Sequence, residues 1–144
     1  MKANADFPTI NEKQPDGISP GGVPYKVLVI DDSMFVRKQI SQILTSEGFE
    51  VVGQAADGVE GIEKYKELSP GVDIVTLDIT MPKMDGVSAL EHIIAFDPKA
   101  NVVMISALGK QDLVKKALIA GAKNYIVKPL DRKKVLERIA AILK

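Results

Sequence analysis

VLVIDD (27–32) is the stretch that decides the fold, because its aliphatic run stops abruptly at two carboxylates. The same change occurs at three later places: DIVTL (73–77) runs into Asp78, NVVMI (101–105) into Ser106 and NYIV (124–127) into Lys128. Short, continuously apolar runs are typical of parallel strands that are covered on both faces. If these runs are parallel strands, their polar neighbours meet at the edge where open α/β sheets bind ligands.

Helical signals alternate with these strands. Ser33 is placed to cap a helix from Met34 to about Glu47, which Gly48 would end. Asp57 and Glu60 form a capping-box-like pair before a helix that reaches Leu68. The other predicted elements are a strand over 50–56, a loop over 79–85, and helices over 86–95, 110–120 and 131–143. The pattern predicts a (βα)₅ doubly wound parallel sheet with right-handed crossovers.

The composition sets limits on the class of protein. The chain has 144 residues, enough for one domain plus a tail, and 46% of them are hydrophobic. The formal net charge is zero, so bulk charge favours neither nucleic acid nor an acidic membrane surface. The absence of cysteine excludes disulfides, thiolate metal sites and cysteine nucleophiles. No apolar stretch is long enough to span a bilayer, so we expect a cytoplasmic protein without a membrane partner.

The first 24 residues differ from the rest of the chain. They are rich in proline and glycine, and Phe7 is their aromatic residue. Such a stretch buries too little apolar surface to offset its ordering entropy. It also lacks the apolar core of a signal peptide. We therefore predict a flexible N-terminal extension over 1–24 and one folded domain over 25–144.

Three carboxylates are expected to meet at the active edge of the sheet: Asp31, Asp32 and Asp78. A pair of like charges about 4 Å apart costs roughly 4 kcal/mol at an effective dielectric of 20. Either one carboxyl is protonated or a cation lies among them. Oxygen ligands without histidine or cysteine suit Mg²⁺, although Mn²⁺ is also compatible with them. A helix N-cap is an alternative role for Asp32, but not for Asp78, which precedes a loop.

Lys128 and Ser106 complete a set of groups suited to a tetrahedral anion. Together with a divalent cation, these two residues suit phosphoryl transfer, which depends on positioning and charge neutralisation. The chain's histidine, His92, lies in a predicted helix after the loop and is interpreted as an ordinary helix residue. Without a general base to drive turnover, Asp78 is expected to accept a phosphoryl group covalently.

The motifs VLVIDDS, DIVTLDITMPKMDG, MISAL and AGAKNYIVKP resemble the receiver domain of two-component response regulators. The resemblance covers residues 25–144 and implies a flavodoxin-like sheet of order 2-1-3-4-5. It implies that Asp78 is the phosphoacceptor for a histidine kinase, and that Lys128 and Ser106 contact the phosphoryl group. Mg²⁺ would be bound by Asp32, Asp78 and the backbone carbonyl of Thr80, with Asp31 acting through water. The Lys128–Pro129 peptide would be cis.

Within that family, the chain is similar to single-domain members that control chemotaxis. The resemblance then implies a monomer that is not an enzyme beyond its self-catalysed phosphorylation and slow dephosphorylation. Its partners would be a chemotaxis-type histidine kinase, a flagellar motor switch protein and a dedicated phosphatase. Ser106 and Tyr125 would form the conformational switch. The expected partner face consists of Val114, Lys115, Leu118, Tyr125 and Val127.

Two other functions fit parts of the pattern. A phosphorelay intermediate would share the fold and the phosphoacceptor but pass its phosphoryl group to another histidine. A Mg²⁺-dependent aspartyl phosphatase of the haloacid-dehalogenase type would need a carboxylate two residues after Asp78, where Thr80 stands. Leu108, two residues after Ser106, is apolar where related regulators often carry a polar residue, which affects the expected lifetime of the phosphoryl group.

Overall fold

The computed structural model describes residues 15–143, which form a five-stranded parallel sheet with helices on both faces. The strands are β1 (Lys26–Ile30), β2 (Glu50–Ala55), β3 (Ile74–Asp78), β4 (Val102–Ser106) and β5 (Asn124–Val127). Their order is β2-β1-β3-β4-β5, and each neighbouring pair is parallel. The predicted flavodoxin-like sheet and its order are confirmed.

Five helices connect or follow these strands. They are α1 (Met34–Thr45), α2 (Gly58–Leu68), α3 (Gly86–Phe96), α4 (Gln111–Ala120) and α5 (Arg132–Leu143). The side chains of Ser33 and Asp57 accept hydrogen bonds from the backbone of α1 and α2, as their N-cap positions predict. Between residues 15 and 143, no helix has the length and hydrophobicity that crossing a membrane requires.

The structure differs from the sequence prediction mainly at the ends of elements. Strands β3 and β4 each run one residue further than predicted and include Asp78 and Ser106. Asp78 pairs with Ile105 and Ser106 pairs with Val127, so the sheet fixes the backbone of both polar residues. Helix α1 ends at Thr45, before the predicted end, because the following N–H groups bond back in a tighter turn.

Two apolar clusters lie on opposite faces of the sheet. Alternate residues of β1 divide between them: Leu28 and Ile30 join the cluster beneath α2, α3 and α4, while Val27 and Val29 join the cluster beneath α1 and α5. This alternation follows from the two-residue period of a strand. Because both faces are covered, the strand ends at the carboxyl edge are held rigidly.

Residues 15–24, here called the N-terminal strap, are folded against the amino end of the sheet. Gly17 donates a backbone hydrogen bond to Glu47 O at 2.8 Å, and Tyr25 N donates to Gly17 O at 2.8 Å. Ile18 and Pro24 form an antiparallel bridge. A Cβ on Gly17 would lie 2.6 Å from Glu47 O, so this close approach requires glycine. Residues 15–24, which the sequence assigns to a flexible extension, thus make specific backbone contacts, and residues 1–14 of that predicted extension lie outside the described residues.

Candidate functional site

Three carboxylates meet at the carboxyl edge of the sheet. Asp31 and Asp32 follow β1, and Asp78 ends β3, the central strand. One oxygen from each carboxylate lies within 4.8 Å of the others. Asp31 is fully buried and Asp78 is 4% exposed, whereas Asp32 is open to solvent. The structure thus brings together the three carboxylates of the predicted metal site.

Lys128 lies beside the two buried carboxylates. Its Nζ is 3.6 Å from Asp31 Oδ2 and 3.7 Å from Asp78 Oδ1. The backbone of Lys128 is fixed where β5 ends, because its N–H donates to Ser106 O at 2.7 Å. The Lys128–Pro129 peptide is cis, as the resemblance implied. One ammonium group therefore faces two carboxylates and neutralises only part of their charge.

Hydrogen bonds hold Asp31 firmly, but one of its two carboxylate oxygens accepts none from residues 15–143. Its Oδ1 accepts a hydrogen bond from Ser33 N at 2.9 Å, and Arg37 Nη1 donates to its backbone carbonyl at 2.6 Å. Its buried Oδ2 has no hydrogen-bond partner within the described part of the chain. A buried carboxylate oxygen that accepts no hydrogen bond is costly, so it favours a cation or water at this position.

Burial, together with the neighbouring charge of Asp31, raises the pKa of Asp78 from 3.8 to about 7. The ammonium of Lys128 and a backbone hydrogen bond from Thr80 act in the opposite direction. Burial also raises the pKa of Asp31. These shifts show that the site holds more negative charge than its protein surroundings compensate, which is the condition that attracts a divalent cation.

Gly86 anchors the loop that follows β3 to the end of that strand. Gly86 N donates to Ile79 O at 2.7 Å, and a Cβ on Gly86 would lie 2.6 Å from Ile79 Cα. Asp85 caps α3 by accepting from Ser88 N at 2.9 Å. Thr80, whose carbonyl is a predicted metal ligand, is exposed in this loop next to Asp78. The closed loop therefore holds Thr80 at the mouth of the site.

Ser106 and the predicted partner face surround a second feature, a largely apolar cavity of about 260 Å³ between α4 and β5. Ser106 is buried, and its Oγ donates to Ala107 O at 2.9 Å. The five residues predicted for the partner face all line this cavity: Val114, Lys115, Leu118, Tyr125 and Val127. Leu108 lies at its rim with 78% of its surface exposed. The serine that ends β4 thus connects the acidic site to the cavity.

Sequence reasoning missed three contributors to this region. Gly86 and Asp85 form an Asp-Gly pair at a helix start, a local signal that was available in the sequence. Arg138 was missed because no local signal relates it to Tyr125, over whose ring its guanidinium lies at 4.8 Å from the centroid. Only the packing of α5 beside β5 brings those two residues together.

The oxygen donors, the ammonium and the hydroxyl at one sheet edge suit a divalent cation and a tetrahedral anion. Comparison with known proteins agrees with this chemistry, since the response regulator receiver domain matches residues 27–140. The chain belongs to the receiver domain family of response regulators. Receivers of this kind are not enzymes in the ordinary sense.

Individual relatives place this receiver among chemotaxis proteins. It is 71% identical to the chemotaxis protein CheY of Treponema pallidum, over 100% of both chains. It is 50% identical to CheY of Bacillus subtilis, over 80% of this chain and 94% of that protein. A solved CheX-CheY-BeF3-Mg complex from Borrelia burgdorferi matches with a TM-score of 0.89 and 56% identity, covering 92% of this chain and 99% of that chain.

The receiver is therefore a chemotaxis response regulator. The relatives favour neither the phosphorelay intermediate nor the aspartyl phosphatase that the sequence left open. Their similarity extends beyond the acidic motifs to the whole described fold. The individual roles of Asp78, Ser106 and Tyr125 are argued below from their positions.

Proposed function

We propose that Asp78 of this receiver accepts a phosphoryl group from a phosphohistidine of a chemotaxis kinase. The observation that supports this role best is the position of Asp78 at the end of the central strand, within reach of two carboxylates and one ammonium. An oxygen of Asp78 forms the new P–O bond, the P–N bond of the donor breaks, and the leaving imidazole takes up a proton. The reaction needs charge neutralisation more than acid–base chemistry.

Mg²⁺ is the metal that fits the donor set. Asp32 and Asp78 would bind it directly with the carbonyl of Thr80, and Asp31 would act through a water molecule. When bound, Mg²⁺ would neutralise charge on the carboxylates and on the phosphoryl oxygens. The Oδ2 of Asp31, which pairs with Lys128 at 3.6 Å but accepts no hydrogen bond among the described residues, supports this assignment, because a metal-bound water could donate to it. The related CheY from Borrelia burgdorferi was solved with Mg and BeF3.

Lys128 and Ser106 would receive the transferred group. With Mg²⁺ present, the ammonium of Lys128 can leave the carboxylates and pair with a phosphoryl oxygen. The Ser106 hydroxyl would turn from Ala107 O towards the same group. This movement would make room for the Tyr125 ring, because both residues line the cavity of about 260 Å³. Phosphorylation and the partner face would be coupled in this way.

The output of the switch would be binding to a flagellar motor switch protein. The partner face offers Leu118 and Val127, each 39% exposed, beside the lysines of α4. This combination suits an amphipathic peptide that carries acidic residues. Because CheX occurs in complex with CheY in the solved relative, we also propose that a dedicated phosphatase binds this receiver.

Incubation with acetyl phosphate and Mg²⁺ tests the phosphoacceptor. Intact-mass measurement should show one phosphoryl group on the wild type and none on Asp78→Asn. Asp85→Asn is the matched control, because it changes an exposed aspartate of the same loop and keeps a capping oxygen. Full phosphorylation of the Asp78→Asn variant would contradict the assignment.

A second experiment tests the switch. A flagellar switch peptide should bind the phosphorylated receiver more tightly than the unphosphorylated one. By linkage, the saturating peptide should raise the equilibrium constant for phosphorylation by the same factor. Equal affinity for the two forms would contradict the motor output and leave Asp78 as a phosphoacceptor without this conformational signal.

A further inference from the structure

The side chain of Arg138 reaches around the open edge of the sheet to the ring of Tyr125. Strand β5 is an edge strand, with β4 on its one paired side. Ile126 faces the cluster beneath α5, whereas Tyr125 faces the cluster beneath α4. Arg138 belongs to α5, yet its guanidinium lies 4.8 Å from the Tyr125 ring centroid. This contact therefore requires the ring to lie at the outer edge of β5.

Asn124 holds Arg138 in this position. Arg138 Nη1 donates to Asn124 Oδ1 at 3.2 Å, and Asn124 Nδ2 donates to the backbone carbonyl of Arg138 at 3.1 Å. Asn124 Oδ1 also accepts from Tyr125 N at 2.9 Å. The residue next to the tyrosine thus fixes the guanidinium, so hydrogen bonds define the position of this group over the ring.

The opposite side of the Tyr125 ring offers empty space. The cavity of about 260 Å³ lies between Tyr125 and α4, and its lining includes Ser106 and Val114 but not Arg138. A ring that rotated into this cavity would move away from the guanidinium and lose the cation–π contact. The two positions of the ring therefore differ in their contact with Arg138.

We propose that Arg138, held by Asn124, is a positioning residue that keeps Tyr125 at the outer edge of β5 and so sets the phosphorylation threshold of the switch. This inference rests on the proposed function, since it assumes that the phosphoryl group favours the inward ring. A ligand that selects the inward state binds with an affinity reduced by the fraction of protein in that state. Removing the contact with Arg138 should raise that fraction.

BeF₃⁻ in saturating Mg²⁺ serves as the phosphoryl probe. We expect Arg138→Met to bind it about two- to fivefold more tightly than the wild type, the range that one cation–π contact at an exposed site provides. The direction of this change in affinity is diagnostic, because simple loss of a positive charge would weaken the binding of an anion. Asn124→Ala, which removes no charge, should shift the affinity in the same direction.

The titration is followed by ¹⁹F NMR of the receiver labelled with 3-fluorotyrosine. The chain has three tyrosines, and Tyr125→Phe identifies the resonance of Tyr125. Before any BeF₃⁻ is added, Arg138→Met should move this resonance part of the way to its position in the BeF₃⁻-bound wild type. Lys133→Met is the matched control, since it removes a charge from an exposed residue of the same helix.

A double-mutant comparison separates this role from general electrostatics. In a Tyr125→Ala background, Arg138→Met should no longer tighten BeF₃⁻ binding. The inference is overturned if Arg138→Met behaves like Lys133→Met, or if the tighter binding persists without Tyr125. Failure of the wild type to bind BeF₃⁻ at all would overturn the proposed phosphoacceptor function together with this inference.

Discussion

At the carboxyl end of the sheet, Asp31 and Asp78 are buried beside each other with one ammonium group between them, whereas the amino end is closed by backbone hydrogen bonds. There Gly17 donates a hydrogen bond to Glu47, in the turn before β2, and accepts one from Tyr25, the residue before β1. The carboxyl end retains a buried carboxylate oxygen without a hydrogen-bond partner among residues 15–143. The same sheet thus keeps unfavourable charge at the proposed reaction site and pairs its polar groups by hydrogen bonds at the opposite end.

Removing the charge of Asp78 should give the largest change. Because its pKa is raised from 3.8 to about 7, the folded state holds a proton that the unfolded state has already lost between these pH values. Without divalent cations, the free energy of unfolding should therefore fall as pH rises from about 4 to 7, by as much as roughly 4 kcal/mol. Asp78→Asn should flatten this decline, as measured by urea unfolding across the pH range.

Asp112→Asn, at an exposed position of α4, is the control and should follow the wild-type curve. If Asp78→Asn kept the full decline, the excess negative charge would not be centred on Asp78. Such a result would weaken the contrast between the two ends of the sheet, because ionisation of Asp78 would then not destabilise the carboxyl end.

Asp32→Ala should lower the affinity for Mg²⁺ by more than about 100-fold, because a direct ligand contributes at least as much as the residues that orient one. The fold should survive, since Asp32 is exposed, and loss of a like charge beside Asp78 should not destabilise it. Titration with Mg²⁺ and a parallel unfolding curve measure both effects. Glu63→Ala, exposed on α2, controls for the change in net charge, and an unchanged Mg²⁺ affinity in Asp32→Ala would exclude the three-aspartate site.

Gly17→Ala tests the amino end of the sheet. A Cβ at this position would collide with the backbone of Glu47 and Phe49, so the strap would have to move. We expect a loss of about 2 kcal/mol in the free energy of unfolding, without a change in phosphorylation by acetyl phosphate. Gly21→Ala is the control in the same strap, because its Cβ would meet only Ser19 Oγ, at 3.8 Å. Equal stability of the two variants would show that the strap contributes little.

The smallest effect is expected at the rim of the site. Hydrolysis of phosphorylated Asp78 needs a water molecule in line with the phosphorus, and Leu108 cannot hold that water by a hydrogen bond. Leu108→Glu or Leu108→Asn should shorten the phosphoryl lifetime about tenfold, less than a buried catalytic contact would achieve because the position is exposed. The decay is measured after removal of the donor.

Ile119→Glu is the matched control for Leu108, since Ile119 is 81% exposed and lies outside the cavity lining. It should decay at the wild-type rate. If the polar variants at Leu108 also decayed at that rate or more slowly, access of water at this position would not determine the lifetime.

The parts of the fold that depend on local patterns could be predicted from the sequence. The apolar runs predicted the strands, and Ser33 and Asp57 marked helix starts that the structure confirms. The order of the strands and the individual site roles came from the resemblance and not from periodicity. Local patterns were sufficient here because each strand end carries its polar residue directly in sequence.

The strap and the Arg138 contact could not be predicted, because both depend on distant parts of the chain. Composition describes the average of a segment, whereas the strap is held by a few backbone hydrogen bonds and one close fit at Gly17. The direction of the Ser106 hydroxyl, towards Ala107 O, is equally invisible in the sequence. Such features depend on the packing of complete elements rather than on local preference.

Gly86 limits how this protein can vary. Its Cα lies so close to the backbone after β3 that any side chain would displace the segment carrying Asp78. In a randomised library of the loop, variants at the exposed Pro82 and Lys83 should survive selection for phosphorylation, while position 86 should return glycine alone. A designer who wishes to alter the surface around Asp78 therefore has freedom within the loop but none at Gly86, which closes it.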